Sequence, residues 1–328
     1  MDMAIAIGLF IVGLLLLIKG GDWFVDGATG IARRFHIPEL LIGATVVSIG
    51  TTLPEVMVSA TAAFEGSGGI AYGNAIGSII CNTSLIAAIT IAIKPAAIDK
   101  KSLTVPVIFF FGSAALYCGV AYVTGYFSRA IGFILLAIFV AYISLSAVQA
   151  RKQPALEEGA EAEEEVGEEK ASPLWKEIVL LVVGAAFIAV GARLLVDNGT
   201  LIAEKLGVPE TVIALTFVAL GTSLPELVTA ITSLAKGHGA LSLGNIIGAN
   251  LFNLVLVSGV STVVKPFNIP EGNTLFGINS SLVLDVPVML AVMLILTVPA
   301  LIRGKLSRFQ GIALLAIYAG FCVFQFVM

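Results

Sequence analysis

Ten mostly apolar stretches, each twenty or more residues long, recur along the 328-residue chain: near 4–31, 39–64, 70–93, 103–124, 127–149, 175–203, 210–235, 241–264, 278–301 and 308–327. A helix needs about 20 apolar residues to cross a bilayer. The pattern therefore predicts an all-α integral membrane protein of ten transmembrane helices. The first stretch lacks a basic leader region and a small-residue cleavage site, so it is expected to be the first crossing. One interruption is long: "RKQPALEEGAEAEEEVGEEKASPLWK" is polar, repetitive and acidic. It cannot bury enough apolar surface to fold, and residues 151–173 are predicted to be a disordered tether.

Composition agrees, with 58% hydrophobic residues, 12% charged and a mean hydropathy of +1.02. Soluble domains carry about 25% charged residues. The net charge of −4 misleads, because eight of the 22 acids lie between Glu157 and Glu169; without them the balance is 18 − 14, or +4. With the N-terminus outside, thirteen Lys and Arg fall in inner loops and three (Arg129, Lys205, Lys265) in outer ones. That positive-inside bias places the linker in the cytoplasm and the C-terminus outside.

The polar residues repeat. Adding 171 carries Gly50, Pro54 and Glu55 onto Gly221, Pro225 and Glu226, and Gly20, Asp26, Pro38 and Glu39 onto Gly191, Asp197, Pro209 and Glu210. It also carries Gly73, Asn74, Gly77 and Asn82 onto Gly244, Asn245, Gly248 and Asn253, with no gap from 20 to 82. One ancestral unit is used twice. The expected organisation is a first repeat at 1–150 (motif about 39–93), the linker, and a second repeat at 174–328 (motif about 210–264). Five crossings per unit is an odd number, so the second copy is expected upside down. Inverted repeats with interrupted helices at matching positions are the signature of a secondary transporter whose site lies between the halves.

In "SIGTTLPE" (48–55) and "ALGTSLPE" (219–226), proline removes an N–H and presses on the carbonyl four residues back, at Gly50 and Gly221. A freed carbonyl in lipid needs a partner inside the protein, and a cation is one. Thr51, Thr52, Thr222, Ser223 and Ser48 add hydroxyls, while Glu55 and Glu226 add carboxylates. Each carboxylate costs roughly 2.5–3.5 kcal/mol at mid-membrane unless compensated. No Lys, Arg or His falls at a matching depth, so a bound cation is expected between them. "YGNAIGSIICN" (72–82) and "LGNIIGANLFN" (243–253) bring small-xxx-small glycines for close helix approach. They also bring the amides of Asn82 and Asn253 and the hydroxyl of Ser78. An all-oxygen set suits Ca²⁺ or the similarly sized Na⁺ and disfavours zinc or copper.

The remaining polar residues have plainer expectations. Lys19 with Asp22, and Arg193 with Asp197, are spaced to pair within their helices. Asp285 is expected to be hydrated near an outer helix end. Glu39 and Glu210 open helices, where an acid favours the N-terminal dipole. His36 and His238 fall in loops with nothing nearby to make either a ligand or a base. Cys81, Cys118 and Cys322 form no metal spacing and are expected to be small buried residues.

The paired motifs "GTTLPE…GNAIGSIICN" and "GTSLPE…GNIIGANLFN" closely resemble the two α-repeats of the cation/calcium exchanger superfamily, in its prokaryotic sodium/calcium exchanger branch. The resemblance covers nearly the whole chain. It implies four cation sites in a diamond, with Glu55 and Glu226 binding Ca²⁺ and sharing the Na⁺ ions. It implies backbone carbonyls of Ser48, Thr51, Ala219 and Thr222 as ligands, with the side chains of Thr52, Ser78, Asn82, Ser223 and Asn253. It also implies that the first and sixth helices slide across the other eight. Two departures stand out. Ala249 occupies the position matching Ser78, where relatives often place a serine. Asn253 is neutral where some relatives carry aspartate, leaving a site charge of −2 and arguing against potassium dependence.

The expected function is electrogenic exchange of Ca²⁺ for Na⁺ across the cell membrane by alternating access, with a Ca²⁺/H⁺ antiporter on the same two glutamates as the alternative. A buried glutamate can carry a proton when desolvation favours its neutral form. A channel would need a continuous pore that nothing in the sequence signals. An intramembrane enzyme would need a nucleophile–base constellation that is absent. The expected partners are inorganic cations and the lipid bilayer, with no cofactor and no nucleic acid, and the chain is expected to act as a monomer.

Overall fold

A computed structural model describes residues 3–95, 97–152, 173–206, 221–270, 274–275 and 277–327. The linker core 153–172 and the stretch 207–220, which holds Pro209, Glu210 and Ala219, lie outside the described residues. The helices are α1 (Met3–Arg34), α2 (Glu39–Phe64), α3 (Gly68–Ile93), α4 (Lys100–Val123), α5 (Arg129–Lys152), α6 (Leu174–Lys205), α7 (Leu224–Ala235), α8 (Gly239–Val264), α9 (Ser281–Arg303) and α10 (Arg308–Val327). Among the described residues nine are long and apolar enough to cross a membrane; α7 is shorter, being the described part of the expected crossing 210–235. Two-residue antiparallel strands, β1 (Tyr126–Phe127) and β2 (Phe267–Asn268), tie the α4–α5 loop to the segment after α8.

The offset of 171 holds in three dimensions. It carries α1 onto α6 end for end, and Gly68–Cys81 onto Gly239–Phe252. Both of the latter segments pass into a π-turn at the repeated asparagine, Asn82–Ala87 and Asn253–Val257. The helix pair α1 and α6 packs through glycine. A Cβ on Gly13 would stand 2.9 Å from the Gly191 carbonyl oxygen, and one on Gly191 would stand 2.8 Å from the Gly13 oxygen. Gly20 and Gly184 meet in the same reciprocal way at 2.9 Å. Position 13 pairs with 191 and position 20 with 184, so the two helices run antiparallel. Backbones this close leave no room for a side chain, which is how helices gain contact without a hydrophobic drive inside lipid.

The most buried spans are α2, α3 and α8, and the inward residues of α7 include Glu226. Gly244 and Gly248 of α8 lie against the Leu40 and Ala44 backbone of α2, as the small-residue spacing predicts. The matching partners of Gly73 and Gly77 fall at 211 and 215, outside the described residues. A core of Tyr72, Tyr117, Phe127, Tyr142 and Phe252 fills the end near the β1–β2 ladder.

Several local expectations change. Pro54 lies inside an unbroken helix, Ser48–Phe64, where an interruption was expected. The ring removes one hydrogen bond, but neighbouring turns hold, and the irregularity falls upstream in a π-turn at Gly43–Val47. The second copy differs: its helix starts at Leu224 with Pro225 in the first turn, where an N–H would lack an intrahelical acceptor anyway. Lys19 does not pair with Asp22; its ammonium lies over the Trp23 ring, 5.5 Å from the centroid. Asp22 instead meets Lys236 from the other half at 3.5 Å, and Asp26 meets the same lysine at 2.7 Å. Tertiary contact outcompetes the local pair because Lys236, just past α7, reaches both carboxylates. Arg193 and Asp197 do pair, at 3.6 Å on an exposed face. His238 also gains a neighbour the sequence did not suggest, the Glu39 carboxylate at 2.7 Å from Nδ1. Asp285 is half-buried and accepts a hydrogen bond from Gln325 at 2.7 Å. Glu39 does stand in the first turn of its helix.

The glycine seam yields a prediction. Gly20→Leu should destabilise the protein by about 1–3 kcal/mol, as overpacking does, and thermal unfolding in detergent would register a lower midpoint. Gly8→Leu, at a position with nothing within 4 Å, should leave the midpoint unchanged.

Candidate functional site

Three π-turns and one tight helix crossing position the polar residues. A π-turn adds one residue to a helical turn, so carbonyls there lose their usual acceptor role within the helix. In an apolar interior each must be satisfied by another group. The Ser48 hydroxyl meets the Gly43 carbonyl at 2.7 Å, five residues back, and stands 2.9 Å from the Asn245 carbonyl of α8. Tyr142 of α5 donates to the Ala44 carbonyl at 2.8 Å. Ser258 repeats the five-residue bond in the second half, donating to the Asn253 carbonyl at 2.9 Å.

Ser48, Thr51, Thr52, Glu55, Ser78, Asn82, Ser223, Glu226 and Asn253 are all buried, and Thr222 is half-buried. Glu55 and Glu226 have no exposed surface. The two carboxylates lie close enough to repel each other, and no basic side chain is among the groups acting on either. The Thr51 hydroxyl stands beside Glu226. Ser223 and Glu226 both neighbour Cys81. Among the described residues, both oxygens of Glu55 and of Glu226 have no hydrogen-bond donor, and Thr52 Oγ1, Ser223 Oγ and the side-chain amides of Asn82 and Asn253 likewise have no partner. Ala219 lies outside the described residues. Ala249 is fully buried where the first repeat carries Ser78.

Orphaned polar atoms inside an apolar interior are expensive, about 1–3 kcal/mol each and more for charges. Those of the two repeated motifs are all hard oxygens or amides. Among the described residues no three His, Cys, Asp or Glu side chains cluster as a soft-metal site would need. The donor chemistry suits a hard cation such as Ca²⁺ or Na⁺. Beside this cluster a small cleft opens between Phe24 of α1, Gly50, Thr51 and Pro54 of α2, Ala185 and Ile188 of α6, and Pro225.

Two polar groups were not singled out as site residues from the sequence. Asn74 and Asn245 each take a hydroxyl from the opposite half: Thr222 donates to Asn74 Oδ1 at 3.3 Å, and Thr51 to Asn245 Oδ1 at 3.1 Å. The signal was present, since both asparagines fall on the 171-residue offset. Asn250, by contrast, donates to Thr83 at 2.7 Å and approaches Met293 Sδ at 3.2 Å. It has no counterpart in the first repeat, where Ile79 takes its place.

The sodium/calcium exchanger protein family matches residues 5–148 and 176–327, which is most of the chain on both sides of the linker. The chain belongs to that family. The exchanger is 36% identical to the putative antiporter CaxA of Alkalimonas amylolytica over 97% of this chain and 98% of that one. It is 30% identical to the sodium/calcium exchanger MaX1 of Methanosarcina acetivorans, over 97% of each. Its fold matches a structure of the sodium-calcium exchanger NCX_Mj soaked with 2.5 mM Na⁺ and 10 mM Sr²⁺, at a TM-score of 0.79 and 32% identity, covering 97% of this chain and 98% of that chain. It is a multi-pass membrane protein, and family and fold together support cation/calcium exchange.

The orphaned carboxylates predict a trade of stability for function. In chelated, low-sodium buffer, Glu55→Gln should raise the thermal midpoint, worth about 1–3 kcal/mol of relieved buried charge. Added Ca²⁺ should stabilise the wild type, by about 2.7 kcal/mol at a hundred times its Kd, and leave the variant unmoved. Differential scanning fluorimetry in detergent measures both.

Proposed function

We propose that this exchanger moves Ca²⁺ against Na⁺ by alternating access through the cluster around Glu55 and Glu226. The observation that carries the proposal is a pair of wholly buried carboxylates, close enough to repel each other, whose oxygens, like those of Thr52 and Ser223, have no hydrogen-bond partner among the described residues. Two carboxylates match one Ca²⁺ in charge. Three Na⁺ bring one charge more, so each cycle carries one net charge and transport is electrogenic. Thr51, Thr52, Ser48, Ser78, Asn82, Thr222, Ser223, Asn253 and the unseen Ala219 carbonyl supply the remaining oxygens. The name of MaX1 and the Na⁺ and Sr²⁺ in the NCX_Mj structure support this cargo.

The architecture follows from the same reading: two five-helix repeats of inverted topology, 1–150 and 174–328, with both termini outside. The antiparallel packing of the equivalent helices α1 and α6 supports the inversion. The thirteen-to-three distribution of basic residues supports the orientation. The exchanger requires no cofactor and works as a monomer in the cell membrane.

In proteoliposomes loaded with Na⁺, an outward Na⁺ gradient should drive Ca²⁺ uptake, faster when the interior is made positive, since each turnover exports one net positive charge. Glu55→Gln should abolish that flux. Uptake driven by a pH gradient and indifferent to Na⁺ would replace Na⁺ by H⁺ as the counter-ion, and flux retained by Glu55→Gln would remove the carboxylate pair from the mechanism. The Ala249 position makes a separate prediction. Ala249→Ser restores the oxygen missing from the second repeat and should lower the Na⁺ concentration that gives half-maximal exchange; an unchanged value would place position 249 outside the Na⁺ ligands.

A further inference from the structure

We propose that Asn245 and Asn74 are positioning residues of the ion site, each accepting the hydroxyl proton of a threonine from the opposite half so that the threonine oxygen is free to face a cation. The proposal rests on the reading of the Glu55–Glu226 cluster as that site. A threonine hydroxyl has one proton and two lone pairs. Two acceptors stand within hydrogen-bond distance of the Thr51 hydroxyl, Asn245 Oδ1 at 3.1 Å and the Ser48 carbonyl of its own helix at 3.4 Å, and the Glu226 carboxylate lies nearby without bonding to it. If the proton turned to the carboxylate it would occupy an oxygen that a cation needs. If it had no other acceptor, a cation beside the hydroxyl would strand a buried O–H, which is costly. The Asn245 amide oxygen removes both problems by accepting the proton itself.

The device is built twice. Thr222 is the repeat of Thr51, Asn74 is the repeat of Asn245, and Thr222 donates to Asn74 Oδ1 at 3.3 Å. Each asparagine thus reaches across the junction between halves, as groups behind a metal's direct ligands commonly do when they orient those ligands. The two copies differ in their backing. Asn74 Nδ2 donates to the buried Ser59 hydroxyl at 2.9 Å, which fixes which way its amide faces. The residue matching Ser59 is Ala230, and Asn245 Nδ2 has no partner among the described residues. Asn245 is held instead through its backbone, whose carbonyl lies 2.9 Å from the Ser48 hydroxyl.

Equilibrium binding of ⁴⁵Ca²⁺ to the purified full chain in detergent tests this with five variants. Asn245→Leu should weaken Ca²⁺ binding about ten- to a hundredfold, whereas Asn245→Asp, which keeps an acceptor oxygen, should bind near the wild-type level. In a Thr51→Val background Asn245→Leu should add nothing, because the hydroxyl it serves is gone. A purely structural asparagine predicts the opposite, an equal loss in both backgrounds, and that result would overturn the proposal. So would wild-type binding by Asn245→Leu. Should Thr51→Val bind no Ca²⁺ at all, Asn245→Asp decides alone: loss of binding there, in protein that still elutes as a single folded species, also overturns it. Glu55→Gln separates the two levels. If it binds Ca²⁺ normally the ion-site reading itself fails; if it loses binding while Asn245→Leu does not, only the asparagine proposal fails.

Discussion

Two wholly buried carboxylates close enough to repel each other, with no basic side chain among the described groups acting on either, are the constraint around which this fold is arranged. Coulomb repulsion between them grows as the surrounding dielectric falls. A membrane interior offers no water to relieve it. A chain meant only to be stable would replace them by apolar residues, as buried charges elsewhere tolerate. Under the proposed function, both carboxylates have a use, because charge of the opposite sign arrives with the cargo. The orphaned oxygens of Thr52, Ser223, Asn82 and Asn253 around them have the same logic.

Holding such a cluster together requires the backbone to approach closely and yet leave its carbonyls accounted for. The glycines of α8 let that helix lie directly on α2. The π-turns at Gly43–Val47, Asn82–Ala87 and Asn253–Val257 shift the helical register at the places where polar side chains must turn inward. Ser48, Ser258 and Tyr142 then meet the carbonyls that those turns release. Each device solves a local hydrogen-bonding deficit, and together they place side chains from four helices around one centre. The pair α1 and α6 is built differently. Glycine lets these two helices adhere to each other along much of their length, while Lys236 fastens α1 to the loop after α7 through Asp22 and Asp26.

Much of this was legible beforehand. Nine of the ten expected crossings appear among the described residues with ends within three or four residues of their sequence limits, because twenty apolar residues in lipid have few alternatives to a helix. The 171-residue offset anticipated equivalent elements down to shared helix ends. Local electrostatics were read less well. Spacing suggested Lys19 with Asp22, but spacing registers only neighbours along the helix, and Lys236 arrives from 214 residues away. Pro54 suggested a break, but a helix braced on both sides by its neighbours absorbs one missing hydrogen bond.

The sequence by itself determined the membrane class, the duplication and the kinds of atom offered to an ion, since these depend on composition and on the order of residues. Only the tertiary structure decided which atoms meet. That Thr51 faces Asn245 and Thr222 faces Asn74, that Glu55 confronts Glu226, and that His238 reaches Glu39 are all pairings between the two halves. The physical reason is that such pairings are set by the packing of one repeat against the other. A repeat period records that two units are alike, but not how close their helices come or which faces they present.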